Sequence, residues 1–377
     1  MRFNLLFLSV CLIVLFFTSG AVALAAEQPV FLGTQTIEKA QVVTVANERE
    51  IVIPGTDTKT KTQTIRVLVL EGAEKDVTLT VENDYAQLKV GDVFYLRHTH
   101  EDGGADLYSV ADPYRLNVLW ALSVLFFVLV VFVGGFQGVR GVVSLTGSLL
   151  LIFYVLLPSI LKGYSPILVS ISVSSLIIIV GSYITHGFNR TTTAAVFGMI
   201  ATVVIVGGIG YMAVYGAHLS GYSSEESTYL TFSSRGSIDL IGLVFGGIMI
   251  GLLGVLYDIA IGQAVSVEEL LRAGKESMNK RMVFLRAMRI GREHIGALVN
   301  TLAIAYVGAA LPLLLLFRTT DASISYTLNS ELFATEIIRI LTGSIGLILA
   351  VPITTLIAVY FIRAHGTENV VKQTHTH

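Results

Sequence analysis

Hydrophobic and polar positions alternate over the first part of the chain and then give way to long apolar runs. Between Glu27 and Asp112 the period is two. Gln41–Val45 and Ile65–Leu70 are rich in β-branched residues, Val77–Val81 reads Val-Thr-Leu-Thr-Val, and Val93–Leu96 follows a turn at Gly91-Asp92. Short strands between polar turns predict a small β-barrel or sandwich, OB-like or SH3-like in size, over residues 26–112.

After Asp112-Pro113 the pattern changes abruptly. Apolar stretches follow at 116–133, 140–157, 166–184, 193–216, 238–261, 295–317 and 336–362, each close to the ~20 residues that cross a hydrocarbon core as a helix. Runs this long and unalternating satisfy their backbone in lipid only as helices. The predicted fold is therefore an α-helical polytopic membrane protein of about seven transmembrane helices, residues 113–377, with an N-terminal extracytoplasmic β domain. Residues 1–25 have the anatomy of a signal peptide or an uncleaved anchor: Arg2, an apolar centre from Leu5 to Phe17, and Ala23-Leu24-Ala25 before Ala26.

Composition agrees with the pattern. The 377 residues are 53% hydrophobic and only 14% charged, and mean hydropathy is +0.73. The net charge of -2, with no basic stripe interleaved with aromatics, argues against nucleic acid. A single cysteine, Cys11, excludes a disulfide framework and cysteine-based metal sites.

Charge also fixes an orientation. With residue 112 outside, the inner connections hold Arg140, Arg190, Arg272, Lys275, Lys280, Arg281, Arg286, Arg289, Arg292, Arg363 and Lys372. The outer ones hold Lys162, Arg235 and Arg318. Basic residues resist export, so the loop 263–294 and the C-terminus are expected in the cytoplasm, and the protein in the cell (inner) membrane. Between Val265 and Arg289 one or two interfacial helices are expected, because Val267, Leu270, Leu271, Met278, Met282 and Leu285 share a side.

Several polar residues stand inside this apolar frame. Gly247, Gly251, Gly254, Asp258 and Gly262 fall on one helical stripe, where glycines permit close approach of a second backbone. An ionisable group inside a bundle is a candidate for a proton or cation relay; pairing of Asp258 with Arg289 or Arg292 is the structural alternative. Glu293 and Asn300 share a face, as do His294 and Thr301. With Asp258, Glu268 and Arg292 they can frame a polar pocket near the inner leaflet, or serve as caps and interhelical glue. Glu336 and Arg339 are expected to pair locally, and Pro312 and Pro352 to kink or break their helices. A faint repeat pairs Gly135-Phe136-Gln137 with Gly187-Phe188-Asn189.

In the exported part, His98 and His100 lie two apart, with Glu101, Asp102 and Asp106 nearby. His98, His100 and Asp102 form a candidate set for a divalent metal such as zinc, against the alternative of a solvated loop. Enzyme signatures are missing: no His-Glu-x-x-His, no G-x-S-x-G and no P-loop lysine motif. No resident cofactor is expected.

The stretches "GVLYDIAIGQAVSVEELL", "AMRIGREHIGALVNTLAIAYVGAALPLLLL" and "GFNRTTTAAVFGMIAT", with the Asp112-Pro113-Tyr114-Arg115 entry, resemble the YibE/F family of bacterial multi-pass membrane proteins over most of residues 40–362. The resemblance implies a bacterial membrane location and supplies no assigned activity. Asp258, Glu268, Arg292, Glu293, Asn300 and Thr301 match the family's polar signature, with Glu293 where an aspartate is expected. The function expected from all this is a transporter or channel-like protein for a small solute or ion, with Asp258, Glu268, Glu293 and Asn300 converging at an inner polar cavity. The alternative is a non-transporting envelope sensor, assembly factor or partner subunit acting through its β domain. Expected partners are the lipid bilayer, an unidentified small solute or ion, and a second copy or a homologous membrane subunit.

Overall fold

The computed structural model describes residues 34–52, 55, 59–100, 106–274, 278–319 and 323–362. The signal segment, Asp102 and the tail with His375 and His377 lie outside the described residues. The chain divides into two compact units, one reaching to Phe132 and the other running from Val133 onward.

In the first unit, five antiparallel strands form one sheet: β1 (Thr34–Val52), β2 (Lys59–Val69), β3 (Thr78–Asn83), β4 (Val93–His100) and β5 (Leu107–Pro113). Their order is β3-β2-β1-β4-β5. β1 is long enough to pair with two neighbours, its first part with β4 and its later part with β2. Two register shifts, between Val42 and Thr44 and between Val45 and Asn47, bend it. β3 and β5, at opposite ends of this order, also approach each other. Alternate residues fill the core: Ile65, Val67 and Val69 from β2, Phe94 and Leu96 from β4, with Ala40, Val42, Val81, Leu88 and Val110. Gln63 and Asn83 are buried polar groups with their partners in place. Gln63 accepts from Leu88 N (2.8 Å) and from Asn83 Nδ2 (3.1 Å), and Asn83 Oδ1 accepts from Tyr85 N and Ala86 N.

The sequence pattern located parts of β1 to β4 but missed β5, whose Tyr-Ser-Val-Ala-Asp run is too polar to read as a strand. The turn at Gly91 takes φ +94°, a left-handed conformation that favours glycine.

Helices make up the remainder. They are α1 (Leu116–Leu151), α2 (Leu157–Leu161), α3 (Pro166–His186), α4 (Arg190–Gly216), α5 (Glu225–Ser233) and α6 (Leu240–Gly274), then α7 (Lys280–Ala309), α8 (Leu311–Arg318), α9 (Ile324–Asn329) and α10 (Glu331–Phe361). A π-helical turn at Ile152–Leu156 joins α1 to α2 just ahead of Pro158, which has no N–H to offer the regular ladder. Asn189, Ser224, Asn279 and Ser323 cap α4, α5, α7 and α9 by accepting from a backbone N–H three residues on.

Among the described residues, five helical stretches are long and apolar enough to cross a bilayer: Leu116–Leu161, Pro166–His186, Arg190–Gly216, Leu240–Gly274 and Glu331–Phe361. The pair α7 and α8 makes a sixth, bent by 64° where the chain passes Ala310 ahead of Pro312. The expected separate spans 116–133 and 140–157 thus appear as one run, Leu116–Leu161, interrupted at Gly135 (φ 54°, ψ -138°). Gly187 also takes positive φ, 77°, where α3 ends. Both glycines of the faint repeat therefore break a helix, and the Gln137 amide of one turn donates to Thr185 O beside the other (3.0 Å).

Pro352, by contrast, lies inside an unbroken α10. The expected interfacial helices are not separate either. Val265 to Gly274 continues α6 and Lys280 onward opens α7, because no breaker interrupts either stretch.

The core of the helical unit sits among α3, α4, α6, α7 and α10. Met199, Phe245, Met249, Leu252, Leu256 and Leu347 are all fully enclosed there. Glycines allow this density. A Cβ at Gly198 would collide with Thr354, one at Gly246 with the Ser170 hydroxyl, and one at Gly346 with Leu252 and Val206.

Candidate functional site

The predicted stripe on α6 is a real geometric feature, but it faces away from this core. Gly247, Gly254, Asp258 and Gly262 are exposed and Gly251 is half-buried. Phe245, Met249, Leu252, Leu256 and Gln263 occupy the opposite side of the helix. A Cβ built on Gly247, Gly254 or Gly262 would meet no atom within 4 Å. At Gly251 it would meet the Tyr306 hydroxyl of α7, so the stripe runs along the edge of α6 that borders α7. On the side of α6 that meets α3, Gly246 packs closely against Ser170, one residue and about 100° away from the stripe.

Asp258 makes no hydrogen bond or ion pair among the described residues, so the alternative of an arginine clasp from Arg289 or Arg292 is not realised. On α7, Arg292, Glu293, His294, Asn300 and Thr301 are exposed as well. The Thr301 hydroxyl donates back to Ala297 O (2.9 Å). Buried positions on that helix are Val283, Ala287, Gly291 and Leu302.

Glu268 has a different environment. Its carboxylate accepts from the Thr191 hydroxyl on the first turn of α4 (2.5 Å) and pairs with Arg272 on its own helix (2.5 Å). Nearby, the Gln263 amide donates to Ala287 O of α7 (2.7 Å). Asn189 caps α4 through Thr192 N, Phe188 stacks on Tyr183 at 4.3 Å, and the Tyr257 hydroxyl donates to Gly181 O (3.1 Å). The "GFNRTTT" stretch is thus a joint between α3, α4 and α6. No hydrogen bond or ion pair joins any two of Asp258, Glu268, Arg292, Glu293, Asn300 and Thr301 among the described residues.

Elsewhere, Arg339 pairs with Glu336 at 3.0 Å as expected, and both are half-buried. Glu331, at the start of α10, was not singled out from the sequence. Its carboxylate accepts from Ser220 N (2.8 Å), the Ser220 hydroxyl (2.6 Å) and Gly221 N (2.7 Å), tying α10 to the loop after α4. An open, mainly apolar groove of about 300 Å³ is lined by Val155, Ser159, Tyr164, Ser165, Leu168 and Ser172. It contains none of the predicted residues.

In the sheet unit, His98 and His100 continue the inward-facing positions Phe94 and Leu96 beyond the hydrophobic core. Strand pairing brings Asp106 to them as a carboxylate; the expected third ligand, Asp102, lies outside the described residues. Asp106 Oδ1 lies 2.5 Å from His100 Nδ1 and 3.2 Å from His98 Nε2. The hydrogen bond from His100, then the close approach of the His98 ring, hold the Asp106 carboxyl below its usual range. The His98 ring stacks on Tyr108 at 4.6 Å, and the Tyr108 hydroxyl donates to Glu74 Oε1 (2.7 Å). Burial, followed by this bond to Glu74, pushes the Tyr108 pKa up to about 12.

A family profile described as YibE/F-like protein matches residues 122–364, which is more than half of the chain and takes in the helical part but not the sheet. No curated protein and no solved structure matches the chain. Its helices and this match identify a multi-pass membrane protein, and the chain belongs to the YibE/F-like family.

Proposed function

We propose that this protein is a transporter or channel-like subunit for a small solute or ion, and that its polar path forms between two copies of the chain. One observation carries this reading: Asp258, Asn300 and Thr301 lie exposed on the outward sides of the apolar helices α6 and α7, while the helical unit's own centre is packed with large apolar side chains. Bare in lipid, a carboxylate costs on the order of 3 kcal/mol or more, so such a face calls for a polar partner or water. Glycines on the same stripe let a second helix come close.

The topology belongs to the same reading. A continuous helix of 46 residues would be about 69 Å long, twice the hydrocarbon thickness, so Leu116–Leu161 counts as two spans about Gly135 and the total becomes seven. Arg190, Arg272, Lys280, Arg281 and Arg286 belong to the segments around the contact of Thr191 with Glu268, which supports a cytoplasmic location for that end. The strand order and the approach of β3 to β5 support an OB-like barrel for the exported domain.

Purified protein reconstituted in liposomes tests the transport reading. Wild-type vesicles are expected to show proton- or cation-coupled flux that Asp258→Asn lowers at least about tenfold. Flux that survives unchanged in a normally folded Asp258→Asn protein, or no flux from wild type across a broad panel, contradicts it.

A second reading is favoured by the packed centre itself: an envelope sensor or assembly factor working through the exported sheet, with the helices as an anchor. In that case deletion of residues 27–112 abolishes partner binding and Asp258→Asn leaves it intact.

A further inference from the structure

We propose that His98, His100 and Asp106 form an exchangeable site for a zinc-class divalent metal ion at the open end of the β domain. This inference stands apart from any transport path in the helical unit. The donor set is two imidazoles and one carboxylate, and their ligand atoms all lie within 4.8 Å of one another. Such a mixture suits zinc and its late first-row neighbours and is poorly suited to calcium or magnesium, which take oxygen donors.

Three features of the fold build the site. First, β4 places His98 and His100 two residues apart on one face, so both rings leave the strand on the same side. Second, antiparallel pairing of Thr99 with Leu107 brings the start of β5, with Asp106 beside it, opposite His100. Third, His98 is held from behind: its ring stacks on Tyr108, whose hydroxyl is anchored by Glu74. Such outer contacts fix the orientation of a ligand ring before a metal arrives.

The ring nitrogens make the case sharper. His98 Nε2 is enclosed and has no well-aligned hydrogen bond, yet it lies 3.2 Å from Asp106 Oδ1. Buried polar atoms are ordinarily paired, so an enclosed nitrogen aimed at the carboxylate needs a reason. His100 Nδ1 converges on the same oxygen. Tetrahedral zinc at its usual bond lengths separates its donors by about 3.3 Å. The His98–Asp106 spacing already meets that, and the exposed His100 side chain has room to open the remaining gap. With three protein ligands and His100 and Asp106 exposed, a fourth position is left to water or an incoming group, which is the mark of an exchangeable site rather than a closed structural one.

The test uses full-length protein in detergent micelles, with His375 and His377 replaced by alanine in every sample so that the tail cannot bind metal. Metal-free protein is titrated with Co²⁺ and followed by its visible d–d bands, and Zn²⁺ is then added in competition. The expected result is one equivalent of Co²⁺ bound with bands of a four- or five-coordinate ion, displaced by Zn²⁺. His100→Gln and Asp106→Asn, whose side chains are largely exposed and whose folding is checked by circular dichroism, should each weaken binding at least about tenfold. Two results would overturn the proposal: no stoichiometric binding by the tail-substituted wild type, or unchanged affinity in both variants.

Discussion

The Thr191 hydroxyl donates to the Glu268 carboxylate at 2.5 Å, joining the first turn of α4 to the C-terminal part of α6. The bond spans 77 residues of sequence, and Arg272 braces the same carboxylate from the next turn of α6. A carboxylate at a helix N-terminus also meets the positive end of the helix dipole. Thr191→Val and Glu268→Gln are each expected to cost about 1–3 kcal/mol, as befits a hydrogen bond to a charged group. Their double variant should cost less than the sum, and a double-mutant cycle on unfolding in mixed micelles measures the coupling. Full additivity would show that the two residues do not act together.

At the other end of α4, Glu331 supplies the matching tie through Ser220 and Gly221. Gly221 has φ +85°, and a Cβ there would run into Leu240, so the loop can close only with glycine. Glu331→Ala removes the acceptor for two backbone N–H groups. Limited proteolysis should then cut within residues 217–223 several-fold faster than in wild type, with Glu331→Asp intermediate.

Glycine substitutions separate the inner seam from the outer stripe. Gly198→Ala places a methyl against the Thr354 backbone and is expected to destabilise the helical unit by about 1–3 kcal/mol. Gly254→Ala meets open space within the chain and gains helix propensity, so the isolated chain should be unharmed or slightly stabilised. Thermal melts in detergent distinguish the two. Equal losses would place both glycines at internal contacts.

Tyr108 gives the sheet unit a dependence on alkaline pH. Its folded-state pKa of about 12 is above the ordinary 10.0, first because of burial and then because of the bond to Glu74. A raised tyrosine pKa means the neutral form is favoured on folding. The contribution is therefore complete below pH 10 and is lost as pH rises through about 12. NMR titration of ring-labelled tyrosine should find Tyr108 still protonated at pH 11, and Glu74→Gln should bring its titration partway back toward 10. A Tyr108 that titrates at its ordinary value in wild type would contradict the packing of the His98–Tyr108 pair.

Which segments form long apolar helices was legible from the sequence, because the length of an apolar run reports it directly. Which side of a helix looks inward was not. Gly247, Gly254 and Asp258 share a stripe by arithmetic alone, but the core was claimed by Phe245, Met249, Leu252 and Leu256 on the opposite side. Four of these large side chains bury more apolar surface than a row of glycines, and that comparison was available in the sequence. The break at Gly135 showed only as a gap between two apolar runs. Glu268 looked like a member of the polar set because it is close in sequence to Asp258, whereas its partner Thr191 comes from a helix far earlier in the chain. In the sheet unit, the alternation of Phe94, Leu96, His98 and His100 was readable. The β4–β5 pairing adds Asp106 to them as a carboxylate, which the sequence showed only as one of several nearby acids.

The central claim is that a second copy covers the outward face of α6. With Cys11, the single native cysteine, replaced by serine, Gly254→Cys on that face and Val204→Cys on the exposed side of α4 provide a matched pair. Oxidation in native membranes is predicted to give a cross-linked dimer at position 254 and only monomer at position 204. Monomer at both positions, together with a single-chain particle mass in native-lipid discs, would contradict the account.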